Sequence, residues 1–128
     1  MLEKNLKSQN NGDFDWRAVY KKSTCEKVGI NPDLPLIISG QAPEPQYSWN
    51  DKHRKYDGSV NGYAYIASQN VIDEHGKKWF QNPVAIVIEG ATPKEFKFGD
   101  KVKFEGLGAY YSRRKYCYQF RAEGIHKA

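Results

Sequence analysis

Residues 109–121 read AYYSRRKYCYQFR, a segment with four tyrosines, one phenylalanine and four positive charges but no acid. Strand-like runs on both sides of residues 112–115 predict a β-hairpin with this tetrapeptide as its turn. The residues after the turn alternate in character, and we expect three rings to point inward and the other three side chains to face a ligand or solvent. The inward set is Tyr116, Tyr118 and Phe120, and the opposite set is Cys117, Gln119 and Arg121.

The chain on the N-terminal side of this hairpin is also rich in strand signals from residue 51 onward. Residues 62–68, GYAYIAS, alternate, and residues 84–88 are apolar on both faces, which predicts a central strand bounded by Asn82-Pro83. Residues 101–105 alternate after a turn at 99–100, which predicts that Val102 and Phe104 point inward. Residues 74–77, EHGK, are a turn signal between strand candidates at 71–73 and 78–81. Several short strands separated by turns predict a mainly β fold, a small OB-like antiparallel barrel.

The first third of the chain differs in character. Residues 1–12 are polar and predict a loose arm, and Asp13 is a candidate cap for a short helix from Phe14 to about Lys27. Prolines then interrupt the chain, so that residues 34–39 are a strand candidate and residues 40–50 are predicted to be a loop or an extended lead-in. We therefore expect two parts, an N-terminal appendage over 1–33 and a β-barrel nucleic-acid-binding domain over 34–128.

Charge is distributed unevenly. The net charge is +5, and residues 1–50 hold six lysines and arginines against six acids, so the whole excess lies in residues 51–128. A local basic excess is the footprint of a nucleic-acid partner. No apolar run reaches the length of a membrane span, and two cysteines without a CxxC pair predict reduced thiols. We expect a cytoplasmic protein without a membrane partner.

The sequence offers little for catalysis. His53, His75 and His126 are isolated, neither cysteine is close in sequence to one of them, and no zinc spacing is present. Nucleophile-elbow and Gly-rich phosphate motifs are also lacking. We therefore predict a protein that is not an enzyme and that uses neither a metal nor a cofactor.

Rings interleaved with cations are what a protein needs to hold a single-stranded nucleic acid, because rings stack on bases and cations contact phosphates. If Ile66 faces the core, Tyr63 and Tyr65 form an exposed stacking platform; if the tyrosines are core, their hydroxyls need partners. The competing interpretation of residues 109–121 is an ordinary edge hairpin, and that of residues 52–56 is a solvated loop. The candidate nucleic-acid-binding residues are Lys52, Arg54, Lys55, Tyr63, Tyr65, Tyr110, Tyr111, Arg113, Arg114, Lys115 and Arg121.

Two stretches resemble a known family. Residues 87–96, VIEGATPKEF, run on to Val102-Lys103-Phe104, and residues 119–125 read QFRAEGI. With Ile66-Ala67-Ser68, they resemble the small helicase-processivity-type accessory proteins of integrative and conjugative elements, in which such segments occur in the same order. The resemblance covers about residues 57–127. Gly124 departs from the family pattern, which tends to have an acid there, and the tip at 113–115 is more basic than the pattern requires.

The resemblance implies an accessory protein that binds single-stranded DNA in mobile-element replication or conjugative transfer, beside a helicase or relaxase. Together with the basic and aromatic segments, it predicts binding of single-stranded DNA without strong sequence preference. The alternatives are a protein-interaction module of a mobile element, which uses a sheet edge and an aromatic patch, and an RNA-binding barrel. The sequence leaves the oligomeric state open.

Overall fold

The computed structural model describes residues 16–50, 55–90 and 92–128, with the side chains of 48–50 and 55–57 outside the description. A 3-10 turn (Trp16–Ala18) and one short helix, α1 (Lys22–Lys27), precede the strands. The strands are β1 (Leu36–Ile38), β2 (Glu44–Asn50), β3 (Lys55–Ile72), β4 (Lys78–Glu89), β5 (Lys101–Glu105), β6 (Gly108–Ser112), β7 (Cys117–Arg121) and β8 (Gly124–Lys127).

The described strands form one sheet, so the prediction of a mainly β fold is confirmed. Their order is β6-β7-β4-β3-β1-β5-β8, with β2 paired to β3 beside this path, and the sheet is not closed. One pair departs from the expected antiparallel arrangement: β4 and β7 run parallel, with Ile86 opposite Phe120. The predicted turns at 74–77 and 99–100 are present, and residues 84–88 lie within β4, between β3 and β7.

One face of the strands holds the core. Val102 and Phe104 of β5, Ile86 and Ile88 of β4, and Phe120 of β7 are all buried, and each alternates with more exposed neighbours. This is the period-two pattern that a strand buried on one face requires. The helix and the loop after it complete the same core, because Cys25 and Ile30 are fully buried in it. The described part of the predicted 1–33 appendage therefore shares the core of the 34–128 region.

The predicted continuous helix from Phe14 to Lys27 is wrong over the described residues. The 3-10 turn and α1 are separated at Lys21, which pairs with Ala109 of β6 through two backbone hydrogen bonds of 2.8 and 3.0 Å. Lys21 thereby covers part of a sheet edge whose N–H and C=O groups would otherwise be open. This pairing joins residues far apart in sequence, so local helix periodicity does not reveal it.

Residues 40–50, expected to be a loop or an extended lead-in, are extended from Glu44 onward, and residues 55–56, for which a solvated loop was one interpretation, belong to a strand. β2 pairs with β3 from Glu44 to Asn50, and residues 55–60 of β3 pair with β2 alone. Gly58, at a φ of +87°, lies at a shift of register and allows β3 to continue through a bulge. Residues 47–50 and 55–60 therefore form a two-stranded ribbon beyond the main sheet, called here the β2–β3 arm.

Asn82-Pro83, which we expected to bound a strand, lies inside β4. The register between β3 and β4 shifts there, because Ala67 is opposite Val84 whereas Gln69 is opposite Gln81. A bulge tolerates a proline that cannot donate a ladder hydrogen bond.

Candidate nucleic-acid interface

The β6–β7 hairpin is present, but its turn begins one residue later than predicted. β6 ends at Ser112 and β7 begins at Cys117, so residues 113–116 form the turn. Ser112 is buried, and its Oγ accepts a hydrogen bond from the backbone N–H of Lys115 at 3.2 Å. Arg113, Arg114 and Lys115 are exposed at the tip. The three cations therefore project where an anionic ligand can reach them.

Of the three rings expected to point inward, only Phe120 is buried. Tyr116 belongs to the turn and is 82% exposed, and Tyr118 is 40% exposed. The shift of the turn explains Tyr116. Tyr118 shares the face of Phe120 but contacts the ring of Tyr111, with centroids 5.0 Å apart, rather than lying in the core. Sequence reasoning thus missed Tyr116 and Tyr118 as candidate binding residues.

The proposed platform on β3 is wrong for Tyr65, which is only 5% exposed. Its hydroxyl accepts a hydrogen bond from the backbone N–H of Lys94 at 2.9 Å, and its ring contacts Phe96 edge-on. Tyr65 is therefore a core residue whose hydroxyl has a partner, as a buried tyrosine needs. Tyr63 is half-buried and packs against the same core, so the two tyrosines do not form the exposed pair that we expected.

A groove of about 580 Å³ lies between the base of the β2–β3 arm and the β6–β7 hairpin, called here the hairpin groove. Part of its lining comes from the face of β4 opposite the core, where Ala85 and Val87 alternate with buried Ile86. The residues that border it include Gln46, Tyr47 and Asn61 near the arm and Lys115, Gln119 and Arg121 on the hairpin side. Tyr47, which sequence reasoning missed, is half exposed at the edge.

Arg121 lies in this groove with a side chain that is 26% exposed. Its guanidinium is 5.3 Å from the Trp16 ring, and Nη2 is 3.7 Å from Glu89 Oε1, which also accepts a hydrogen bond from the Trp16 indole at 3.3 Å. Its buried Nε has no hydrogen-bond partner. A buried donor without a partner is costly, but a ligand in the groove cannot reach a buried atom, so an anion there would contact the exposed part of the Arg121 side chain.

Two aromatic side chains from the N-terminal segment pack near Arg121. Tyr20 contacts Tyr110, with ring centroids 5.4 Å apart, and Trp16 contacts Tyr20 edge-on at 5.9 Å. Burial raises the pKa of the Tyr20 hydroxyl, and the charge of Arg121 lowers it in part. Tyr110, a predicted stacking residue, is therefore half-buried beneath a neighbouring ring. Trp16 and Tyr20 were not recognisable because they come to this place only through tertiary pairing.

The second predicted basic segment is only partly described. Lys52 and Arg54 lie outside the described residues, and Lys55 begins β3 at the end of the β2–β3 arm, its side chain also outside the description. Residue 55 therefore lies at the outer end of the β2–β3 arm, away from the point where the arm joins the main sheet.

A second groove, of about 670 Å³, is less suited to a charged ligand because its charges are largely paired. Glu123, Asp33 and Glu105 each lie within 4 Å of a basic side chain. Across residues 16–50, 55–90 and 92–128, no three His, Cys, Asp or Glu side chains are grouped so as to hold a metal ion. The same described part of the chain contains no helix long and apolar enough to cross a membrane.

Comparison of the chain with protein-family models, with curated proteins and with solved structures gave no match.

Proposed function

We propose that this protein is a single-stranded DNA-binding accessory protein without strong sequence preference. The observation that supports this most is the hairpin groove, which has the basic tip at 113–115 beside it and the partly exposed side chain of Arg121 within it. Cations beside apolar and aromatic surface are the combination that holds a single strand, because phosphates and bases are contacted together.

The pairing order supports an OB-like arrangement. β1, β3, β4 and β7 are successive neighbours, β4 and β7 are parallel, and β5 leads into β6 through residues 106 and 107. If β5 and β6 are counted as one bent strand, this is a five-stranded order in which β3 and β4 are the second and third strands. OB-folds bind oligonucleotides on the face of these strands and through the first and last connecting loops, which here contain the β2–β3 arm and the tip at 113–116.

The biological role is proposed from the resemblance of residues 87–104 and 119–125 to accessory proteins of integrative and conjugative elements. It is DNA replication or conjugative transfer of a mobile element, in the cytoplasm, with a helicase or relaxase as protein partner. A protein that coats a strand beside such enzymes needs no catalytic group of its own.

The test is titration of a fluorescently labelled oligonucleotide at two salt concentrations. Electrostatic binding predicts that log K falls with log salt by about 0.7 per phosphate contact on a single strand. Replacing Arg113, Arg114 and Lys115 together by serine should weaken binding of all sequences about equally and reduce the salt slope by about 0.7 per lost contact.

A matched control removes three exposed lysines that do not border the hairpin groove: Lys97, Lys101 and Lys103. This variant loses the same net charge, so equal loss of affinity in both variants would indicate a general charge effect and contradict the proposed site. Absence of binding to any oligonucleotide at low salt would contradict the proposed function itself.

One observation favours a second candidate function, a protein-interaction module. Among the described strands, β2 pairs only with β3, so its other edge has N–H and C=O groups available to an added strand. Lack of oligonucleotide binding at low salt would favour this candidate. Preference for an RNA oligonucleotide of the same sequence would favour an RNA-binding barrel.

A further inference from the structure

We propose that Tyr111, Tyr116 and Tyr118 form a base-stacking subsite at the end of the β6–β7 hairpin, called here the tyrosine cluster. The proposal rests on the proposed function and adds a place where a nucleobase is held beside the hairpin groove. It assigns a role to two rings, Tyr116 and Tyr118, that sequence reasoning expected to be core.

Tyr111 and Tyr118 are directly opposite each other in the β6–β7 register. Their ring planes are inclined at 67°, in the edge-to-face arrangement that aromatic pairs favour. The two side chains remain 43% and 40% exposed, so the pair is held by its own contact without being covered by the core. A ring that is oriented by a neighbour and still accessible loses little freedom when a base stacks on it.

Tyr116 provides a second, independent observation. Its backbone φ is +55°, the one positive φ at a residue other than glycine in the described chain. Glycine adopts this left-handed conformation without steric cost, whereas a tyrosine does so at the expense of stability. Here the ring is 82% exposed, so packing does not compensate for the strain. Hairpin loops use a residue in this conformation to close, and here that residue is an exposed tyrosine instead of a glycine, which motivates a role for its ring.

The charge around the tyrosine cluster selects the kind of ligand. No acidic residue occurs in the sequence between Glu105 and Glu123, and the turn that joins the rings contains Arg113, Arg114 and Lys115. Glu44, which borders the same groove as Tyr118, is the acid nearest to them in the lining of that groove. A nucleobase stacked on the rings would place its flanking phosphates near these cations. Base stacking on tyrosine needs no hydrogen-bond readout and is therefore tolerant of sequence.

The sharpest test is Tyr116→Gly, because the two roles of this residue predict opposite signs. Removal of the side chain should relieve backbone strain and raise the unfolding midpoint, while loss of one stacked base should weaken oligonucleotide binding by about 5- to 150-fold. Tyr116→Phe should retain the wild-type affinity, since the ring is kept. Unchanged binding by Tyr116→Gly, or a lower unfolding midpoint, would overturn the assignment of Tyr116.

Tyr118→Leu tests the cluster independently and should also lower affinity. Phe98→Ala is the control, because Phe98 is an exposed ring that does not border the hairpin groove. Both tyrosine variants should keep the wild-type salt slope, unlike the serine variant of residues 113–115. If the wild-type protein binds DNA and both Tyr116→Gly and Tyr118→Leu bind it with the wild-type affinity, only the tyrosine cluster is refuted. Wild-type protein that binds no oligonucleotide would refute the proposed function and the cluster with it.

Discussion

Gln69 and Asn31, 38 positions apart, exchange two hydrogen bonds: Gln69 Oε1 accepts from the Asn31 N–H at 2.8 Å, and Nε2 donates to the Asn31 carbonyl at 3.0 Å. Gln69 Nε2 also lies 3.2 Å from the carbonyl oxygens of Leu34 and Pro35. The side chain is fully buried on β3. One amide thus satisfies the backbone of the proline-containing loop that leads from α1 into β1.

We expect Gln69→Leu to lower the free energy of unfolding by about 1–3 kcal/mol, because leucine leaves the Asn31 N–H and the neighbouring carbonyls buried without partners. The measurement is urea unfolding of the variant and the wild-type protein, and their free energies of unfolding are compared when the two m-values agree. Asn70→Leu is the control, since residue 70 is the exposed neighbour on the same strand; its effect should stay within about 0.5 kcal/mol. Equal effects of the two changes would mean that the hydrogen bonds of Gln69 contribute nothing specific.

Gly108 allows the N-terminal segment to approach β6. A Cβ at position 108 would lie 2.7 Å from the Tyr20 carbonyl oxygen, closer than side chains tolerate. We expect Gly108→Ala to destabilise the protein by about 1–3 kcal/mol, as overpacking does, and to displace Trp16 from Glu89, which should alter tryptophan fluorescence. At Gly40 the nearest atom to a new Cβ is 3.6 Å away. Gly40→Ala should therefore leave both signals near wild-type, and a Gly108→Ala protein with normal stability would show that the segment can move away freely.

The two thiols should react very differently. Cys25 is fully buried in the core, and burial raises its pKa to about 12, whereas Cys117 is exposed. Because the thiolate is the reactive species, native protein at pH 8 should release one equivalent of chromophore rapidly with DTNB and a second one only on unfolding. Cys117→Ser should abolish the rapid phase. Rapid reaction of both thiols in native protein would contradict the packing of Cys25.

Asp73 should make the stability depend on pH in the acid range. Its pKa is lowered, chiefly by the hydrogen bond from the Trp79 indole at 2.9 Å and further by the backbone N–H groups of Lys77 and His75. The ionised carboxylate therefore stabilises the fold above the unfolded pKa of about 3.9, and this contribution is lost as the pH falls through the lower folded pKa.

We accordingly expect Asp73→Asn to be less stable than wild-type at neutral pH and the difference to shrink as the pH falls below about 4. Denaturant unfolding at a series of pH values provides the measurement. Glu74→Gln, at the exposed neighbouring position in the same turn, should follow the wild-type curve closely. A constant difference between Asp73→Asn and wild-type down to pH 2 would exclude the carboxylate as the cause.

Local pattern was sufficient for features that depend on neighbouring residues. The alternation in 101–105 predicted the buried Val102 and Phe104, and Glu74-His75-Gly76-Lys77 predicted the turn between β3 and β4. The basic tip at 113–115 was found because its charges are consecutive. In each case the signal and the structure lie within one strand or one turn, where side-chain period and turn chemistry act directly.

The sequence by itself therefore determined that the chain is mainly β, that a hairpin exposes three cations, and which strand interiors are apolar. Only the tertiary structure decided that Tyr65 is core while Tyr118 is exposed, because both positions have the same alternation and differ in what packs against them. It also decided that Trp16 lies against Arg121, a contact of residues more than a hundred positions apart. Such contacts depend on strand pairing and on the shape of the core, which no local period encodes.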